Sequence, residues 1–165
     1  MLRALNAALF VSLAGLAHAQ PDAIPVWRMQ VEYLEADREL VRTCLSTADA
    51  GCENIVQNAC GAALDEDSRV PATERNCDWR AIAAWEDEMN ASLVVLHARL
   101  SGRDGANLDA SQRAWDKSML ADVGLGMDFY QSGSLAGPVG AHIRARATAV
   151  RAIYLYDIRM ITDDQ

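Results

Sequence analysis

The sequence predicts an all-α domain, a compact bundle of about four to five helices stapled by two disulfides. Apolar residues recur at spacings of three and four through most of the chain, the signature of helices with one buried face. No stretch of useful length alternates with the period of two that a half-buried strand needs. Four cysteines, Cys44, Cys52, Cys60 and Cys77, form an even set of the kind that pairs in an oxidising compartment.

The first 19 of the 165 residues read as a cleaved leader: Arg3 is a basic start, Ala4 to Leu16 an apolar core, and Ala17-His18-Ala19 a small-residue cleavage signature. The apolar run is too short to span a bilayer, and no later run approaches that length. Gln20, rather than a cysteine, comes after the expected cut, so no lipid anchor is expected there. Residues 20–165 suit a single domain with one core. The expected location is the bacterial periplasm or the medium.

Pro21 to Pro25 is an extended entry. A first helix is expected from Ile24 to about Ser46, with Val26, Met29, Val31, Tyr33, Leu34, Leu40 and Val41 inward and Pro25 in its first turn. Thr47 to Gly51 is a turn. A short helix from Cys52 to about Leu64 buries Ile55, Val56 and Cys60, and Asp65 to Arg75 is a polar loop. The central helix is Cys77 to Leu100, which contains neither glycine nor proline. Ile82, Trp85, Met89, Leu93, Leu96 and Leu100 share its inner face, and Asn76 is a suitable N-cap. Gly102 and Gly105 mark a turn. Asp109 and Gln112 have capping-box spacing for a helix to about Tyr130, with Ala110, Trp115, Met119, Val123, Met127 and Tyr130 inward. After a turn at 131–137, Pro138 opens a last helix to about Met160, carrying Val139, Ile143, Ala147, Val150, Ile153, Tyr154 and Ile158 inward.

Helix geometry restricts the disulfides. Cys52 and Cys60 are about 12 Å apart along one helix, beyond the reach of a bridge. That removes Cys52–Cys60 and its complement, Cys44–Cys77. The favoured map is Cys44–Cys52 with Cys60–Cys77, each bond closing one helix junction and stabilising by about 2–3 kcal/mol in the loop-entropy picture. The crossed map, Cys44–Cys60 with Cys52–Cys77, requires the short helix to fold back along the first.

Net charge is −8, and −9 without Arg3. That argues against nucleic acid or an anionic membrane and permits steering toward a basic protein. No metal site and no cofactor are expected: there is no C-x-x-C pair, no histidine near the cysteines, and no haem-attachment, phosphate-loop or calcium-loop motif. His97 and His142 read as ordinary surface residues, and no serine sits in a nucleophile elbow. Glu86, Asp87 and Glu88 cannot converge as paired catalytic carboxylates, because neighbouring helical positions diverge by about 100°; they read as a solvated face. Trp79, Trp85 and Trp115 read as core. No enzyme is expected.

From Cys52 to Leu155 the chain resembles the exported domains named for the lysozyme inhibitor LprI. The resemblance rests on CENIVQNAC, on NCDWRAIAAWEDEMNASL with Trp85 and Asn90 in the family's positions, on Gln112-Arg-Ala-Trp115, and on SGSLAGPVGAHIRARAT. It covers about two thirds of residues 20–165. Val123 and Ile143 stand where members often carry two further cysteines, as if a disulfide were replaced by core contacts, and Val94 stands where the central helix carries tyrosine. The resemblance implies a binding protein whose partner is a basic lysozyme-type muramidase. For such a partner the candidate acidic face is Glu86, Asp87, Asp116 and Asp122. The other readings are a module for another envelope protein, and a hydrolase with an unrecognised site.

Overall fold

The computed structural model describes residues 26–47, 51–131 and 133–163. The expected leader lies outside these residues, and so do the side chains of Val26, Met29, Val31 and Tyr33. The described chain forms five α-helices: α1 Val26–Thr47, α2 Ile55–Ala62, α3 Pro71–Arg99, α4 Gly102–Phe129 and α5 Ala136–Asp163. Short 3₁₀ turns at Cys52–Asn54 and Glu66–Ser68 lead into α2 and interrupt the polar loop. No strand occurs among the described residues, and none of their helices is long and apolar enough to cross a membrane.

Helix α3 is the axis. It packs most extensively on α5, and it also carries α1 and α2, while α4 lies along α5. Trp85, Ile82, Met89 and Leu96 are buried on its inner face, together with Ala81 and Ala84. Helix α1 answers with Val41, Cys44 and Leu45, and α2 with Val56. Trp79 departs from the core expectation, being 48% exposed under the Arg144 guanidinium.

Two helix starts and two helix faces differ from the sequence expectation. Helix α3 begins six residues before Cys77. Pro71 occupies its first position, where a missing N–H costs nothing, and Val70 is extended. The Thr73 hydroxyl accepts the Val70 N–H at 3.1 Å and donates to its carbonyl at 2.8 Å, so Thr73, not Asn76, organises the start. Helix α4 begins at Gly102, not near Asp109. The reversal from α3 needs only Leu100 and Ser101, because Gly102 adopts φ +57°. A side chain at Gly105 would come within 3.3 Å of the Leu100 carbonyl oxygen, so the glycines sit inside the helix to let it start against the end of α3.

The third difference is the face of α5. Val150 and Tyr154, expected inward, are 54% and 53% exposed. The buried line is Ala141, Ala145, Thr148, Ala149, Ala152 and Leu155. Small side chains allow the helix backbones to approach closely, so the larger residues are displaced to the flanks. Thr148 satisfies its hydroxyl on the Arg144 carbonyl at 2.9 Å. On α4 the same shift buries Leu108 and Met119 and leaves Ala110, Met127 and Tyr130 exposed. Val123 and Ile143, the two family cysteine positions, both lie in the α4–α5 seam. Ile143 stands over Gly126 and Val123 over Gly140, positions where an added Cβ would meet them.

The disulfides are Cys44–Cys52 and Cys60–Cys77. They fix α2 at both ends, one to α1 and one to α3. Buried ion chemistry adds a further tie. Asp37 on α1 is 1% exposed, and its carboxylate receives two bonds from Arg80 on α3, at 2.7 and 2.9 Å. Such a pair adds little over an apolar replacement, but breaking it strands a buried charge. Arg80→Met should therefore lower unfolding free energy by about 3–5 kcal/mol, and adding Asp37→Leu should restore most of it. Urea denaturation measures both. A loss under about 1 kcal/mol, the scale of an exposed pair, would show that water reaches Asp37.

Candidate functional site

The acidic triplet on α3 is distributed among neighbours, as the 100° step between its members dictates. Asp87 turns to α1 and binds the Arg38 guanidinium. Glu86 turns to α5 and accepts from Arg144 at 2.8 Å. Glu88 meets Arg159, also on α5, at 3.3 Å with both side chains largely buried. The triplet is thus a set of interhelical ties rather than a solvated face. The hydrogen bond from Arg38 to Asp87, then that to Glu35, raises the already high guanidinium pKa of Arg38.

Of the four carboxylates expected to form one acidic face, the structure therefore places two, Glu86 and Asp87, in half-exposed ion pairs on opposite flanks of α3. Asp116 and Asp122 are exposed on α4 and carry no ion pair among the described residues. Six helical positions apart, they point about 120° from one another. The four do not converge on one patch.

A second arrangement is absent from the sequence reading. Between α2, the first turns of α3 and the start of α5 lies an open cleft of 630 Å³. Both disulfide ends of α2 hold one wall, and Cys77 lies within the cleft. Leu135, Pro138 and Val139 supply an apolar wall from the entry to α5. At its base Asp78 is 6% exposed. Its Oδ1 faces Nδ1 of His142 at 3.3 Å, and His142 itself is 61% exposed. The Gln57 carboxamide stands beside them with both polar atoms buried and without a well-formed hydrogen bond.

Burial pushes the Asp78 carboxyl above its usual value of 3.8, against the opposing pull of His142 and a weaker one from Gln57. Gln57 steadies the carboxylate from beside it without a hydrogen bond of ordinary geometry. Among the described residues no serine, threonine or free cysteine lines the cleft. No group of three or more metal-ligating side chains occurs among the described residues.

The sequence offers little that would reveal this site. Asp78 and His142 are 64 positions apart, and Gln57 sits on a third helix. His142 has the pattern of a lone surface histidine because its carboxylate partner arrives only through the α3–α5 packing. His97, the other histidine among the described residues, is half-exposed near Asp109 at 3.4 Å.

The raised carboxyl has a thermodynamic consequence. Below the unfolded value both states are protonated, and Asp78 contributes nothing to stability. As pH rises toward the folded value, the native state holds its proton more tightly, so stability falls, and the deficit persists above it. Asp78→Asn should therefore melt above the parent protein at pH 7 and converge with it near pH 3 in thermal scans. A variant less stable than the parent at pH 7 would show that the His142 contact outweighs desolvation.

Over residues 63–155, more than half of its length, the chain matches the family described as lysozyme inhibitor LprI. The match includes Asp78, His142, all of α3 and α4 from Pro71 to Phe129, and α5 as far as Leu155; it begins after Gln57, Cys52 and Cys60. No curated protein and no solved structure matches the chain. Since the match covers more than half of its length, the chain belongs to the lysozyme inhibitor LprI family.

Proposed function

We propose that this domain is an exported, non-catalytic protein that binds a lysozyme-type muramidase and blocks its access to the cell wall. The observation that carries the reading is membership of the LprI family over residues 63–155. Charge supports it: a chain of net −8 attracts a basic enzyme and accelerates encounter. Two disulfides suit an oxidising compartment, which is where a muramidase would be met. In this reading residues 1–19 are removed on export, and exported protein that retains them would overturn that part.

Asp116 and Asp122 are available to steer a partner, since they are exposed on α4 and carry no ion pair among the described residues. Glu86 and Asp87 remain candidates at the rim, but each must share its charge with an arginine already in place. The test is a titration of the protein into basic muramidases, with both cell-wall turnover and complex formation measured. Inhibition through a stoichiometric complex is expected at low ionic strength. Association should slow as salt rises, because exposed charges are screened within about 10 Å at 0.1 M. Asp116→Asn with Asp122→Asn should reduce the association rate more than the dissociation rate. Failure to form a complex with any muramidase at low ionic strength would sink the reading and favour another envelope component as partner.

A further inference from the structure

The two buried aspartates among the described residues are treated differently. Asp37 is met by a full guanidinium fork from Arg80, with two bonds at 2.7 and 2.9 Å. Asp78, nearly as buried, meets through Oδ1 only the single ring nitrogen of His142, which carries charge only when protonated. Buried carboxylates are ordinarily matched by a cation or by several donors. The lining of the cleft pairs none with Asp78 beyond His142. Its other charged groups are Glu74 and Arg69, and Arg69 reaches the Gly61 carbonyl at 3.4 Å instead. The Gln57 amide, buried and without a well-formed bond beside Asp78, adds an oxygen with no donor.

We propose that this cleft receives an arginine side chain from the partner protein, with Asp78 as its counter-ion. The proposal rests on the muramidase-binding reading for its partner, and on the cleft alone for its chemistry. A guanidinium fits better than an ammonium because it offers several donors in a plane, as Arg80 does to Asp37. The methylene stem would lie along Leu135, Pro138 and Val139, the apolar wall leading down to Asp78. His142 can keep its contact with Oδ1 while the other carboxylate oxygen takes the incoming fork. Glu74, near the mouth, attracts the same charge.

The direct probe is arginine amide, with binding read from amide and side-chain NMR shifts in the full protein, and with citrulline amide as a neutral control of nearly the same shape. Arginine amide at millimolar concentration should shift Gln57, Asp78 and His142 in a saturable way, and citrulline amide should not. Asp78→Asn should abolish the effect. Against a muramidase that binds the parent protein, Asp78→Asn should weaken affinity at least tenfold. Equal shifts from the two amides, or none from either, would overturn the proposal. So would a muramidase complex indifferent to Asp78→Asn. Saturable arginine binding with no muramidase complex would support the cleft chemistry while removing the muramidase as its source.

Discussion

The fold depends on the close approach of α3 and α5 through alanine. On α5 the buried line is mostly alanine, with Ala145, Ala149 and Ala152 fully buried, whereas on α3 Ala84 borders α1 beside Arg38 and Val41. The small side chains of α5 leave room for Trp85 and Leu155 to be fully buried, as close packing requires. Everything else attaches to this pair. Helix α1 is tied by the Asp37–Arg80 and Asp87–Arg38 contacts, and α2 by its two disulfides. Helix α4 is attached chiefly to α5, where Arg151 crosses to Gln112 at 3.0 Å and to Ser111 at 3.1 Å. Burial lowers the Arg151 pKa, and it is held there by neutral groups and by the Tyr154 ring rather than by a carboxylate.

That arrangement explains the division of labour among the charges. On α3 the carboxylates are structural because the helix is central and each of its flanks meets another element carrying arginine. On α4 Asp116 and Asp122 stay in solvent because only one stripe of that helix is covered. The same logic leaves Asp78 exceptional. It sits in the early turns of α3 facing His142 of α5, and no arginine among the described residues pairs with it. A carboxylate that costs stability in the free domain is a natural place for a partner to contribute the missing charge.

The parts legible from sequence are those governed by local rules. The five helices are dictated by periodicity; helix rise removes one of the three disulfide maps, since Cys52 and Cys60 cannot meet, and the reversal through Gly51 favours the observed one of the remaining two. The start of α3 is obscured because Pro71 and the polar residues after it resemble a loop, although proline is well suited to a first helical turn. The phase of α5 is obscured because alanine contributes weakly to an apolar pattern, while Val150 and Tyr154 contribute strongly and face outward. For the site, Glu86 and Asp87 are visible as carboxylates, but their arginine partners lie 58 and 49 positions away. The Asp78, His142 and Gln57 cluster has no local signature at all; it exists only because three helices meet.

Native-state hydrogen exchange tests the central role of the α3–α5 seam most directly. If the seam anchors the fold, amides from Ile82 to Leu96 and from Ala145 to Leu155 exchange slowest, only through global unfolding, while α4 opens at lower free energy because it is held mainly along one side. Protection in α4 equal to or greater than that of the seam would contradict the account.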